Sequence, residues 1–491
     1  MSAEPMGARA GATRRWRLID AEIAALVPLG RTVALAFNLH GESRHSPFNA
    51  VVFAFWRCRV SQSTRCLSVW GQPGRAVLFG LIALASLAGA AAAQETGQAG
   101  SFTPLAISAA IHESAARSAS APASASATEQ APAQGGDAAV LSFFRGTELS
   151  GFVDMYYSYN FNKPKSPCAT VGGVAIFTCL RNFDVAHNSF ALNLAEVALE
   201  KKPTADSRGG FRVDLDYGST AAIVHGGEPG GVGVFQNIQQ AYISYLAPVG
   251  KGLQFDFGKF VTQHGAEVIE TKDNWNYSRS LLFALAIPYY HMGVRATYTI
   301  NDQVTVMGDL VNGWNNTVDN NTGKTVGAQV MVKPVPALAI TANYMGGPEQ
   351  NDNNDGWRHL FDATATYTAT PQVSLMANVD VGHDVASDAS WHGIGGYLKY
   401  QPNPWFALTP RYEHYRDRDA FTTCFAICAG QTVQEFTITG EVKHKDGVML
   451  RFEYRRDFSD VPYFLKNTNQ LKKSQDTFTL GLVYAFSSKT P

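Results

Sequence analysis

Between Thr262 and Ile287 the chain gathers Glu267, Glu270, Lys272, Asp273 and Arg279, three carboxylates and two cations in one polar stretch. Charges of both signs held this close suit an electrostatic filter, in which opposed fields order water and sort solutes by charge without making a bond. The plainer reading of Glu267, Glu270 and Asp273 is a solvated loop surface. Bond-making chemistry has less behind it. The chain has no GxSxG elbow, and His264 with Glu267 is an isolated HxxE. Gly226 and Gly227 in HGGEPGGVGVF lack the strand-to-helix frame that a phosphate-cradling loop requires. The expectation is a protein that is not an enzyme, and a membrane-embedded hydrolase is kept only as a third alternative.

Four cysteines follow the export signal described below: Cys168 and Cys179, then Cys424 and Cys428. Four cysteines allow three connectivities, and proximity favours two local bridges. Closing loops of this size contributes on the order of 2–3 kcal/mol in the chain-entropy model. Zinc binding by CFAIC is the rival, but a second ligand pair at zinc spacing is absent and an exported chain meets an oxidising compartment. No metal and no cofactor is expected.

The elements that must carry these residues show a period of two. In VMLRFEYRRDF, Val448, Leu450, Phe452 and Tyr454 share one parity while Arg451, Glu453 and Arg455 share the other. Successive side chains of a strand point to opposite faces, so this strand has a greasy side and a charged side. FRVDLDY repeats the pattern with Arg212, Asp214 and Asp216, and TFTLGLVYAF sets Phe478, Leu480, Leu482, Tyr484 and Phe486 against Thr477, Thr479 and Gly481. Charged residues are only 16% of the chain, well below the roughly 25% of an average soluble domain. Either face could be the inside; a soluble β-sandwich or solenoid with one wet face is the bland alternative.

Sixteen such segments occur from Leu149 onward, and the connections alternate. Turn residues join strands near 203, 249, 301–302, 335, 370–371, 403 and 446. Long polar connections lie near 162–186, 219–235, 262–287, 314–322, 348–356, 384–390, 417–430 and 458–474. An even number of antiparallel strands with short turns on one side and long loops on the other is the pattern of a transmembrane antiparallel β-barrel, about 16 strands, with external loops and periplasmic turns. Tilted strands of about 9–11 residues suffice to span, and only a closed sheet leaves no backbone group unpaired in hydrocarbon. The apolar parity then faces lipid, and the other lines a wet lumen. By that parity Arg212, Asp214, Asp216, Arg295, Arg411, Glu413, Glu435, Glu441, Arg451, Glu453 and Arg455 are the lumen-wall candidates.

Over about 340 residues from the first strand onward, the chain resembles the β-barrel porin type 2 family of bacterial outer membranes. The likeness rests on FDFGKFVTQHGAEVIETKDNWNYSRSLLFALAIPYYHMGVRATYTIND, above all Gly258, Lys259 and Phe260, Asn276 to Phe283, and Pro288, His291 and Gly293. The resemblance implies a porin in the outer membrane and leaves the solute open. One departure is the C-terminus, where Phe486 is followed by SSKTP instead of closing the chain on an aromatic. By analogy with general porins, whose third loop folds inward, the stretch 262–287 is the constriction candidate.

The sequence ahead of the strands has a different character. RAVLFGLIALASLAGAAAAQE supplies Arg75, an apolar core and small residues ending at Ala93, the three parts of a signal peptide over 75–93. Residues 1–74 read as a mis-assigned start or an extended leader, because they hold nine arginines and no lysine, and because no Met lies between Met6 and Met155. Residues 94–147, as in SASAPASASATEQAPAQGG, have too little apolar surface to fold and read as a flexible periplasmic tail. With 10 bases and 4 acids before residue 94, the remaining 30 bases and 37 acids give a net of −7, which argues against nucleic acid as a partner. The partners expected are outer-membrane lipid, small hydrophilic solutes and, by analogy with sixteen-stranded porins, two further copies in a homotrimer. The reading is passive diffusion through a water-filled lumen; the alternative is a surface receptor or adhesin working through the external loops.

Overall fold

A computed structural model describes residues 146–228, 232–425 and 427–489. The boundaries expected at 74 and 93 lie outside the described residues, as do the leader, the signal and nearly all of the tail. Sixteen strands close one barrel. They are β1 (Glu148–Asn160), β2 (Ser189–Lys201), β3 (Gly209–Tyr217), β4 (Ile238–Ala247), β5 (Leu253–Val261), β6 (Tyr290–Thr299), β7 (Val304–Val311) and β8 (Thr325–Val335). The second half comprises β9 (Leu338–Gln350), β10 (Asn353–Thr370), β11 (Val373–Asp384), β12 (Ala389–Asn403), β13 (Phe406–Asp417), β14 (Gln431–Lys443), β15 (Val448–Ser459) and β16 (Ser474–Ser487). Each strand pairs antiparallel with its chain neighbours. The seam closes between β1 and β16, with Met155 opposite Leu482 and Tyr157 opposite Leu480.

Closure follows from the solvent. A strand edge in hydrocarbon would leave its N–H and C=O groups unpaired at several kcal/mol each, and a cylinder has no edge. Its polarity is inverted relative to a soluble protein. In β15, Phe452 and Tyr454 are 44% and 37% exposed, whereas Arg451, Glu453 and Arg455 between and beside them are 1% exposed. The outer surface continues with Phe190, Ile243, Phe257, Phe361 and Ile394, all exposed. An apolar surface of this extent is stable only against lipid.

The expected alternation of connections holds on the short side and fails in part on the long side. The connections expected as long near 348–356 and 384–390 are tight: β9 and β10 are joined by residues 351–352, and β11 and β12 by 385–388. The polar run Asn353–Asp355 that suggested a loop is the start of β10, with Asn353 paired to Gln350. Beyond the lipid, strands continue on backbone hydrogen bonds alone and need no apolar parity, so composition mistakes them for loops. The other six long connections are present, and two carry small hairpins: Ala169–Val171 with Val174–Ile176, and Phe464–Lys466 with Gln470–Lys472. Both expected disulfides are formed. Cys168 joins Cys179 across the first of these hairpins, and Cys424 joins Cys428 between β13 and β14.

Candidate functional site

The segment 262–289 between β5 and β6 lies against the inner faces of strands far from its own. A loop there brings backbone N–H and C=O groups that must find partners. The wall supplies them as charges. Glu453 of β15 accepts from the backbone N–H groups of Tyr277 at 2.7 Å and Ser278 at 3.0 Å. Glu413 of β13 accepts from those of Leu281 at 2.5 Å and Leu282 at 3.1 Å. Arginines take the carbonyls. Arg451 donates to Thr271 at 2.6 Å and Asn274 at 2.7 Å, Arg411 to Ser278 at 2.7 Å, and Arg455 to Arg279 at 2.5 Å. Glu453 and Glu413 thus each hold a consecutive pair of N–H groups, and the three guanidinium groups cap oxygens that the turn leaves free.

Most of these charges are also paired with one another, which offsets the cost of burying them. Arg411 bridges Glu267 and Glu435, both at 2.8 Å; Arg455 bridges Asp457 at 2.8 Å and Glu435 at 3.3 Å; Arg451 meets Glu441 at 2.6 Å. Asp457 in turn holds Arg181 of the first long loop at 2.8 Å. Three further anchors fix the segment along its length. Near its start, Gln263 donates to Asp309 at 2.7 Å, and the N–H groups of Gly265 and Ala266 donate to Asp362 at 3.1 Å and Asn378 at 3.2 Å. On the seam, Asp154 of β1 accepts from the Tyr277 hydroxyl at 2.8 Å and from the hydroxyl of Thr271. Room for the Tyr277 ring comes from Gly481 of β16, where a Cβ would stand 2.4 Å from two ring carbons. Toward the loop's end Trp391 donates its indole N–H to the Ala286 carbonyl at 3.0 Å.

The five loop residues singled out by sequence divide into two groups. Glu267 and Arg279 are buried: Glu267 bonds Arg411 and the Ser280 N–H, and Arg279 donates to the loop's own Val268, Ile269 and Tyr277 carbonyls. Glu270, Lys272 and Asp273 keep partial exposure, with Lys272 paired to Asp273. Burial pushes the Glu270 carboxyl up, against the pull of the Lys272 ammonium. Among the wall residues, Arg411, Glu413, Glu435, Glu441, Arg451, Glu453 and Arg455 are buried against the loop or its salt-bridge partners, and Asp214 and Asp216 of β3 are buried as well. Arg212 and Arg295 remain partly exposed, each bonded to one aspartate, Asp214 and Asp256, at 2.8 Å.

Sequence reasoning missed Asp154, Asp362, Asn378 and Asp457, all fully buried on inner parity. The signal was available: Asp154 in GFVDMYYSY sits among aromatics as Asp214 does, and Asp457 continues the parity of Arg451 to Arg455. Tyr277 and Gly481 could not be paired from sequence, because nothing local links residues two hundred positions apart.

No curated protein matches the chain. Among solved structures, the anion-selective porin from Comamonas acidovorans aligns at 10% identity and TM-score 0.47, covering 69% of this chain and 99% of that one. OmpT of Vibrio cholerae, expressed in the outer membrane, aligns at 12% and 0.45 over 69% and 97%. The outer-membrane channel DcaP of Acinetobacter baumannii gives 14% and 0.44 over the same shares. The family model described as "Putative beta-barrel porin-2, OmpL-like" matches residues 146–486, the whole barrel, so the chain belongs to that family of bacterial outer-membrane porins.

Proposed function

We propose that the protein is a passive channel for small hydrophilic solutes whose lumen is narrowed by the loop 262–289. The observation that carries this reading is the division of the loop's charges. Glu267 is consumed in holding the loop to the wall and Arg279 in bonding the loop's own carbonyls, while Glu270, Lys272 and Asp273 keep access to solvent. Charges left over after anchoring are free to act on a passing ion, together with the partly exposed Arg212 and Arg295 of the wall. Export through the signal at 75–93 belongs to the same proposal. So does a homotrimer, which rests on the strand count alone.

The test is a planar-bilayer recording under a salt gradient. Open-channel steps are expected, and Glu270→Gln should move the reversal potential toward anions while Glu267→Gln chiefly alters conductance and noise. Silence at all voltages would defeat the channel and favour a receptor working through the loops. An unchanged reversal potential in Glu270→Gln would remove that residue from the narrow point.

A further inference from the structure

At the long-loop mouth of the barrel, above the inward loop, lies a cleft of about 240 Å³. One side is walled by rings, among them Trp314, Phe421 and Tyr289, and the other by aliphatic side chains such as Ile223 and Leu285; the one cation in the lining is Arg358, near the start of β10. The rings hold each other in place. Trp391 stacks on Phe421 with centroids 5.2 Å apart and meets Trp314 edge-on at 6.1 Å. The Arg358 guanidinium lies 5.2 Å from the Trp314 ring and 5.0 Å from the Phe421 ring. Its Nε donates to Asp384 at 2.9 Å, and its two Nη groups have no partner among the described residues.

We propose that this cleft is a solute-binding subsite for a small neutral aromatic carrying a carbonyl acceptor, such as an aromatic amide. Three features select that chemistry. The volume falls below the roughly 300–1,000 Å³ of pockets for drug-sized ligands, which scales it to a single ring. The ring walls offer stacking and edge contacts that an aliphatic solute uses poorly. The guanidinium presents a planar pair of donors, yet Asp384 bonds it directly and Glu349 adds a second carboxylate beside it. Glu349 is itself bonded to the Trp314 N–H at 2.8 Å, so it belongs to the same wall. Two acids around one cation leave no net positive charge to attract an anion. What survives is directional donation to lone pairs.

This subsite names a substrate class for the channel and rests on that reading only for its role in uptake. The experiment is saturation-transfer NMR titration of the detergent-solubilised full chain with benzamide, followed by benzoate, acetamide and glucose. Benzamide is expected to bind saturably, and the other three at least tenfold more weakly. Arg358→Gln and Arg358→Lys should each weaken benzamide at least tenfold, since neither keeps the planar fork, and so should Trp314→Ala, which leaves the Arg358–Asp384 pair in place. The proposal is overturned by non-saturable benzamide, by Trp314→Ala titrating like the parent, or by benzoate or glucose binding as tightly. Bilayer recording separates the two readings. Open steps without benzamide binding refute the subsite alone, and benzamide bound to a silent barrel refutes the channel alone.

Discussion

Glu453→Ala isolates how the inward loop is held. The carboxylate accepts from two adjacent backbone N–H groups, Tyr277 at 2.7 Å and Ser278 at 3.0 Å, and from the Thr439 hydroxyl at 2.7 Å. It forms no ion pair with a wall arginine, so its removal leaves no guanidinium stranded, unlike loss of Glu435, which would strip a partner from both Arg411 and Arg455. Leaving a buried donor unsatisfied costs about 1–3 kcal/mol, so two of them weaken docking by roughly 2–6 kcal/mol. At about 1.4 kcal/mol per tenfold, even 3 kcal/mol raises the undocked fraction by roughly a hundredfold. The barrel ladder is untouched, so the change is local. Single-channel recordings should show larger or flickering conductance, while heat-modifiable migration on gels reports a barrel that still forms. Glu453→Gln keeps one acceptor and should fall between the two. A Glu453→Ala channel with the conductance and noise of the parent, in a correctly folded barrel, would refute the view that wall charges hold the loop.

Other outcomes follow from the same geometry. Gly481→Ala places a methyl 2.4 Å from the Tyr277 ring carbons, so it should disturb the loop much as Glu453→Ala does; Gly440→Ala, whose Cβ would meet nothing closer than 4.0 Å, should not, and conductance of both checks this. Cys168→Ser with Cys179→Ser opens an eleven-residue separation in the first long loop and should lower resistance of that loop to proteolysis, by about 2–3 kcal/mol of lost constraint, without changing barrel assembly. The Glu270 carboxyl is raised by burial, so it takes up its proton at a higher pH than a free glutamate. Cation preference should therefore be present at high pH and fall, as pH is lowered, before ordinary carboxylates titrate; reversal potentials across a pH series measure it, and the fall should vanish in Glu270→Gln.

The barrel was legible because its code is local. Two-residue periodicity with charges at Arg451, Glu453 and Arg455 needs only neighbouring positions, and the sign of the pattern follows from the scarcity of charge elsewhere. The extended hairpins at 351–352 and 385–388 escaped because strands outside lipid carry no such code. Within the loop, composition marked five charges but could not sort them. Whether Glu267 is an anchor and Glu270 is free depends on Arg411, which reaches the loop from β13 across 144 positions. Arginines and glutamates of the wall looked like a lining for solute for the same reason. Only the fold shows that most of them are occupied by backbone.

Tyr277 binds the first strand through its hydroxyl to Asp154, the penultimate strand through its N–H to Glu453, and rests on Gly481 of the last. One side chain therefore spans the join between the chain's beginning and end. Its seat does not exist until the final hairpin has been threaded beside β1, which makes seating of this tyrosine a late event of biogenesis.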